Sequence, residues 1–381
     1  MNNPTETYLL ESPSQVRELT SKSNLAFIIV FFGSDFDYVS LYHELKKSKL
    51  PFIGCMDTGR LFNDRYCLDS NTAVAMLFSK EIIEKVKIVS YDIRLSNSYQ
   101  SIHLSSQEQY KSLFEKMQIN PANPNLEREF AINLFFGLQS ANPVLQGQSE
   151  VSIFFQTIGG SAGGKLDFKH APVICSKGYG NIGTTAMIRL KENYYFLSDI
   201  NTSFQKTEHK LKVTKLNSPR HIQEFNEKPA QEEYARVLNL SLADLGPHVF
   251  ANYTLGLETG DGERLITSIQ GSDKQGGLFT YNDVLEGVSF NIYEAISQYE
   301  PRKQKFQSLL QVEVVGIISF DCVLCYLTRN SLNEVERIAS LYQEVFPSVP
   351  KIGFGTFSEN FCGANVNQTE TMIAFLKKGD N

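Results

Sequence analysis

A mixed α/β fold, built as two fused lobes of mixed sheets flanked by helices, is predicted by three features of the 381-residue sequence. The first is a strand–helix–strand–turn–strand order that occurs at both ends, over 24–79 and 313–376, with Ile53-Gly54 answered by Ile352-Gly353. The second is a run of short apolar segments joined by Gly-rich or polar turns through the middle of the chain, a meander signal. The third is a set of stretches with apolar residues at helical spacing, which would cover those sheets.

Taken in order, residues 1–23 form a polar lead-in with one short helix, and Leu25–Phe32 is an unbroken apolar run that reads as a buried strand. Tyr38, Leu41, Tyr42 and Leu45 recur at helical spacing and end in lysines, which suit a helix C-terminus. Pro51–Cys55 and Thr72–Phe78 are strands separated by a turn region, and 82–97 adds another. Helices are expected over 105–117 and 124–139, the second carrying Phe130, Leu134, Phe135 and Leu138. Pro143–Ser149 reads as a loop. Strands follow at Ser152–Ile158, Phe168–Cys175, Thr184–Leu190, Tyr194–Ser198 and Leu211–Leu216, then a helix over Pro229–Leu240. Further strands fall at Leu265–Gln270, Leu278–Tyr281 and Val288–Tyr293, with a GDG hairpin turn at 260–262. From Gly316, the run GIISFDCVLCYLTRN reads as a strand. A helix follows, with Ser331 and Glu334 as its capping box and Pro347 as its stop. Strands from Ile352 and over Thr369–Leu376 flank the turn Gly355–Gly363. The lobes are placed at 20–200 and 201–381, with a soft internal boundary near 145.

Phe320-Asp321-Cys322, the turn Gly353-Phe354-Gly355-Thr356-Phe357-Ser358-Glu359 and Asn367-Gln368-Thr369 together resemble the C-terminal half of FIST proteins, an intracellular sensory family with paired N- and C-terminal halves. The resemblance is nearest to the branch described as haem-binding nitric oxide sensors. Gly159-Gly160-Ser161 is similar to that family's GGSAGD turn. Here Cys325 and Tyr326 stand where arginines are expected, Ser358 where a glycine is, and Asn365 where a histidine is. The resemblance implies a non-enzymatic cytosolic sensor that binds a small ligand, with haem as cofactor, and regulates a signalling partner such as a histidine kinase. It also admits a protein-interaction scaffold, because FIST regions occur in F-box proteins.

Composition is that of an ordinary globular chain, 20% charged and 42% hydrophobic. A net charge of −6 disfavours nucleic acid and anionic membrane as main partners. The longest apolar run is far short of a membrane span, and the acidic N-terminus lacks a signal-peptide pattern. Six cysteines, mostly within apolar segments, fit a reducing compartment, so a cytoplasmic location is expected.

Several motifs imitate known sites. Gly159–Lys165 approaches a P-loop, but Leu166 replaces the magnesium-binding hydroxyl and the following residues alternate like a strand. Gly178–Gly183 spells GxGxxG, yet two β-branched threonines follow where a dinucleotide site needs a helix. Cys322-x-x-Cys325 lacks a second ligand pair for zinc, and in a strand the two thiols would face opposite sides. No nucleophile–base signature appears; a hydrolase or transferase using Cys55 or Cys322 is the catalytic alternative. The remaining candidates are polar residues that interrupt apolar strands: Cys55, Asp57 and Thr58, then Gly159, Gly160 and Ser161, then Cys322, Glu359, Asn367, Gln368 and Thr369. Buried amides of this kind need partners or a ligand. They form either a hydrogen-bonded fastening or a ligand pocket between the lobes. For a haem iron, His170 is the first candidate, beside the Gly-rich turn, ahead of His221 and His248.

Overall fold

The computed structural model describes residues 3–93, 98–137, 141–165, 170–258 and 264–379. The fold is mixed α/β, as the sequence predicts, with helices flanking several mixed sheets. The first sheet runs β1 (Thr5–Leu10), β6 (Ala73–Ser79), β2 (Leu25–Phe32), β3 (Phe52–Met56), β10 (Val173–Cys175) and β11 (Gly178–Gly180). The second runs β7 (Ile83–Asp92), β12 (Ile182–Leu190), β8 (Glu129–Phe135), β9 (Thr157–Ser161), β24 (Ser358–Phe361) and β25 (Ala364–Val366). The third runs β13 (Tyr194–Thr202), β26 (Thr369–Lys377), β22 (Glu313–Cys322), β23 (Lys351–Thr356), β4 (Arg60–Phe62) and β5 (Arg65–Cys67).

All three sheets follow one plan. Strands β2 and β3, β8 and β9, and β22 and β23 are the parallel pairs, and every other pairing in these sheets is antiparallel. A parallel pair needs a crossover connection. Helix α2 (Tyr38–Lys47) makes the first, α4 (Ala141–Val151) the second, and α8 (Val323–Ser331) with α9 (Val335–Val345) the third. The expected match between the two ends of the chain is therefore present, with the same strand order and directions. A third copy, unread in the sequence, lies between them.

The hairpin that follows each parallel pair does not stay in its own sheet. Hairpin β4–β5 pairs with β23, β10–β11 with β3, and β24–β25 with β9. The exchange is cyclic, so each unit completes another's sheet. Where these strands end, the backbones bond one another: Thr58 N–H donates to Gly355 O (3.2 Å), Gly163 N–H to Met56 O (2.9 Å) and Phe357 N–H to Ser161 O (3.1 Å).

The inner faces of the three sheets share one apolar core, in which Phe31, Phe320 and Phe354 form one group of touching rings and Phe78, Phe130 and Phe375 another. Helices cover the outer faces: α2 over the first sheet, α3 (Tyr99–Met117) and α4 over the second, α7 (Tyr299–Ser308) and α9 over the third. Between β13 and β22 an insertion folds around its own core, which includes Leu211, Phe225, Tyr234, Leu255 and Ile292. Its eight-stranded sheet is built from β14 (Phe204–Ser218) through β21 (Ser289–Ala295).

Several elements differ from expectation. The strand expected from Gly316 to Asn330 stops at Cys322, and Val323–Ser331 is α8; Cys322, Cys325 and Arg329 are buried at helical spacing along it. Asn333, at φ 56°, separates α8 from α9, so Ser331 is the last residue of α8 and the N-cap position of α9 falls on Glu334. The expected helix over 124–139 is strand β8, buried on both faces, where Phe130 and Leu134 imitate a helical repeat. The expected loop at Pro143–Ser149 is α4. Residues 152–156 are not strand; β9 begins at Thr157 and carries Gly159-Gly160-Ser161. Gly178–Gly183 lies across β11 and the start of β12, so no helix opens at its third glycine. Leu138, residues 166–169 and the GDG turn lie outside the described residues.

Candidate functional site

The third sheet is interrupted by charge. Asp321 on β22 and Glu370 on β26 are direct cross-strand neighbours, and each is buried against its own arginine. Arg329 of α8 pairs with Asp321, and Arg302 of α7 pairs with Glu370. Two cations and two anions leave the cluster neutral, which makes its burial tolerable. Hydroxyls complete it: Tyr342 and Ser319 both donate to Glu370 Oε1 at 2.6 Å, and Arg329 donates to Tyr66 OH at 2.7 Å. Tyr66 in turn donates to Asp321 Oδ2 at 3.3 Å, while Asp321 Oδ1 has no partner among the described residues. Burial pushes the Asp321 carboxyl above the usual carboxylate range, and Arg329 opposes that rise.

Asp321 also lines a small cavity of about 20 Å³, room for roughly one water, at the carboxyl ends of the parallel strands β22 and β23. Thr58, Tyr66 and Leu68 wall it from the first unit, Val323 and Tyr326 from α8. It shares Tyr66, Leu68 and Tyr326 with a wider groove of about 610 Å³ that runs between hairpin β4–β5 and helices α8 and α9. Crevices at the carboxyl ends of parallel strands are where α/β sheets bind ligands.

Beside the quartet sits Glu359, fully buried and paired with no cation among the described residues. Thr356 donates to its Oε1 and Thr369 to its Oε2 (2.9 Å). Burial pushes its carboxyl well above the ordinary value of 4.5, with these hydroxyl bonds opposing. The folded chain therefore keeps a proton that the unfolded chain loses above that value, so Glu359 makes stability fall as pH rises. Glu359→Gln is expected to gain roughly 1–2 kcal/mol over the wild type at pH 7.5, and the gain should vanish near pH 4. Urea denaturation of both proteins at the two pH values checks this; an equal difference at both would mean that no proton is involved.

Of the residues singled out in sequence, Thr58 lines the cavity and the others do not. Asp57 is held by Arg60 Nε (2.9 Å), and that buried guanidinium also bonds Thr72 and Asp69, fastening the β3–β4 turn. Gly159, Gly160 and Ser161 form β9, with Ser358 Oγ donating to Ser161 Oγ at 3.1 Å. Gln368 ties the third sheet to the insertion, accepting from Ser268 Oγ (2.7 Å) and donating to Ala251 O (2.8 Å). Asn367 is equally buried, but neither of its side-chain amide atoms has a partner among the described residues. Cys55 and Cys322 are fully buried, and burial pushes both thiols well up, the opposite of an activated nucleophile. Cys325 stands one helical turn beyond Cys322, on the same side of the chain, because α8 begins there. His170 is exposed beside Tyr38, and no histidine is among the described residues that line the cavity or its groove. Arg302, Arg329, Glu370 and Tyr66 were not singled out, since lone charges in apolar or amphipathic runs carry no periodic signal.

Two family models cover the chain almost end to end, the FIST N domain over residues 26–228 and the FIST C domain over 230–362. The chain belongs to the FIST family. FIST domains are generally small-ligand-sensing signalling domains. The FIST N match takes in the first unit from the second residue of β2 and the whole of the second unit, and its junction with the FIST C match falls inside the insertion. No curated protein matches the chain. Among solved structures, it is similar to phosphoribosylformylglycinamidine synthase II from Thermotoga maritima at 9% identity and a TM-score of 0.18, over 98% of this chain and 72% of that one. The ATP complex of T. maritima PurL gives 10%, 0.17, 98% and 71%. Scores this low bear on neither fold nor function. No helix among the described residues of this FIST protein is long and apolar enough to cross a membrane.

Proposed function

We propose that the protein senses a small ligand at the cavity and groove beside Asp321. The observation that carries this reading is Asp321 Oδ1, a buried carboxylate oxygen without a partner among the described residues, on a residue that walls a cavity at the carboxyl ends of two parallel strands. It suits a ligand that offers a hydrogen-bond donor at its head and lays the rest along Tyr66, Leu68 and Tyr326. The cavity is walled by the first unit on one side and by the third on the other, so a bound ligand would bear on the contact between them. The signal would pass to a partner protein, for which the family resemblance suggests a histidine kinase. A melting-temperature screen with small polar metabolites tests the reading. Leu68 is 58% exposed, so Leu68→Trp should leave the apo melting temperature unchanged while abolishing the shift given by a hit. A hit that survives in Leu68→Trp would place the ligand elsewhere. Screening without any hit would favour an interaction scaffold.

Haem with nitric oxide is the finer reading that the resemblance brings. The described residues around the cavity do not fit it, because they supply neither a porphyrin-sized apolar slot nor an imidazole or thiolate ligand. Titration with haemin, followed by His170→Ala, tests it directly, since only a specific site gives a saturable Soret band.

A further inference from the structure

The geometry points to a second binding groove, one that takes a compact, multiply phosphorylated anion where the first and second sheets meet. The groove encloses about 700 Å³ and is lined by Lys46, Lys49, Lys87, Lys116 and Lys177, with no carboxylate among the described residues of its walls. Five elements supply the five cations: the end of α2, the turn after it, strand β7, the end of α3 and the β10–β11 turn. They converge through folding and not through a basic run in the sequence. On a chain of net charge −6 this is a marked segregation of sign.

None of the five lysines makes an ion pair among the described residues; Lys46 Nζ donates only to Ser176 O (2.6 Å). Their neighbours behave differently. Lys47 is paired with Glu44, while Arg128 and Arg189 share Glu84. Lys46 and Lys116 also sit in the last turns of their helices, where a cation offsets the helix dipole. Lys49, Lys87 and Lys177 have no such duty. Among the described residues, strand β7 forms the edge of its sheet and pairs only with β12, so alternate N–H groups between Val86 and Ser90 face away from β12 along the groove wall. Ser90, Gln109 and Ser176 add side-chain polarity. Point charges on flexible stems, with backbone donors behind them, suit closely spaced phosphates. The volume is that of a small-molecule site. This groove shares no lining residue with the cavity at Asp321, so the inference is independent of that assignment.

Calorimetric titration of the full chain with inorganic triphosphate tests it. One saturable site is expected, with orthophosphate binding at least tenfold more weakly and affinity falling at least tenfold between 50 and 500 mM salt, as screening requires. Lys49→Ser/Lys87→Ser/Lys177→Ser, all at exposed positions, should weaken triphosphate at least tenfold without moving the melting temperature, and Leu68→Trp should leave it unchanged. Vesicles of phosphatidylcholine with and without a polyphosphoinositide distinguish the source: capture of the chain only by the latter, lost in the triple variant, would make a lipid headgroup the natural ligand. Capture by neither type, with triphosphate bound, makes it a free metabolite. Weak, multi-site titration, or binding untouched by the triple variant, would overturn the proposal. Tighter binding of a single-stranded oligonucleotide than of triphosphate would also overturn it, in favour of nucleic acid.

Discussion

Arg302→Met is expected to lower stability by about 3–5 kcal/mol, because it leaves the Glu370 carboxylate buried without its cation. The cost belongs to the stranded charge and not to the lost pair. Adding Glu370→Gln should therefore restore most of it: the neutral amide oxygen still accepts from Ser319 and Tyr342, and no ion remains to be desolvated. Denaturant midpoints for the wild type, both single variants and the double close the cycle. If the double variant is as unstable as the sum of the singles, the two side chains do not face each other. The Asp321–Arg329 pair stands close enough to couple, so it must stay intact throughout.

Gly159→Ala is expected to cost about 2–5 kcal/mol. An added Cβ would lie 1.9 Å from Asn133 O, and φ at this position is +149°. Gly54 and Gly353 occupy the same place in their units. Their Cβ atoms would meet Val30 O at 2.3 Å and Ser319 O at 2.7 Å. In each case the glycine lets the second parallel strand press against the carbonyl of the first. The three alanine variants should rank 159, then 54, then 353, in the order of those distances. Gly178→Ala, with open space around it, should be nearly neutral. Thermal melts of the four decide this, and a harmless Gly159→Ala would mean that the close strand approach is not required.

The two end units were legible because their helices and strands keep ordinary patterns. The middle unit was hidden by its punctuation. Pro143 lies in the first turn of α4, where a helix tolerates it. Gly147 is there because a Cβ would fall 2.2 Å from Ser106 Oγ, so it marks close packing of α3 on α4 and not a loop. Strand β8 is wholly buried, and its Asn133 is satisfied by Gln148 and Thr185, bonds that no local pattern announces. At the candidate site, the sequence offered Asp321 only as part of Phe-Asp-Cys. Its partners come from α8 and from Tyr66, 255 residues away, and that juxtaposition exists only after folding.

The cyclic exchange of hairpins bears on how such a chain can be divided or synthesised. A cut at the junction of the FIST N and FIST C matches would separate β4 from β23, β9 from β24 and β13 from β26. Each half would then present naked strand edges, the surfaces on which proteins aggregate. During synthesis, the edge of β9 must likewise wait about two hundred residues for its neighbour, and β4 waits nearly three hundred for β23. Pairings of such long range are slow to form. Two family halves can be recognised in the sequence, yet neither is a module that folding can finish first.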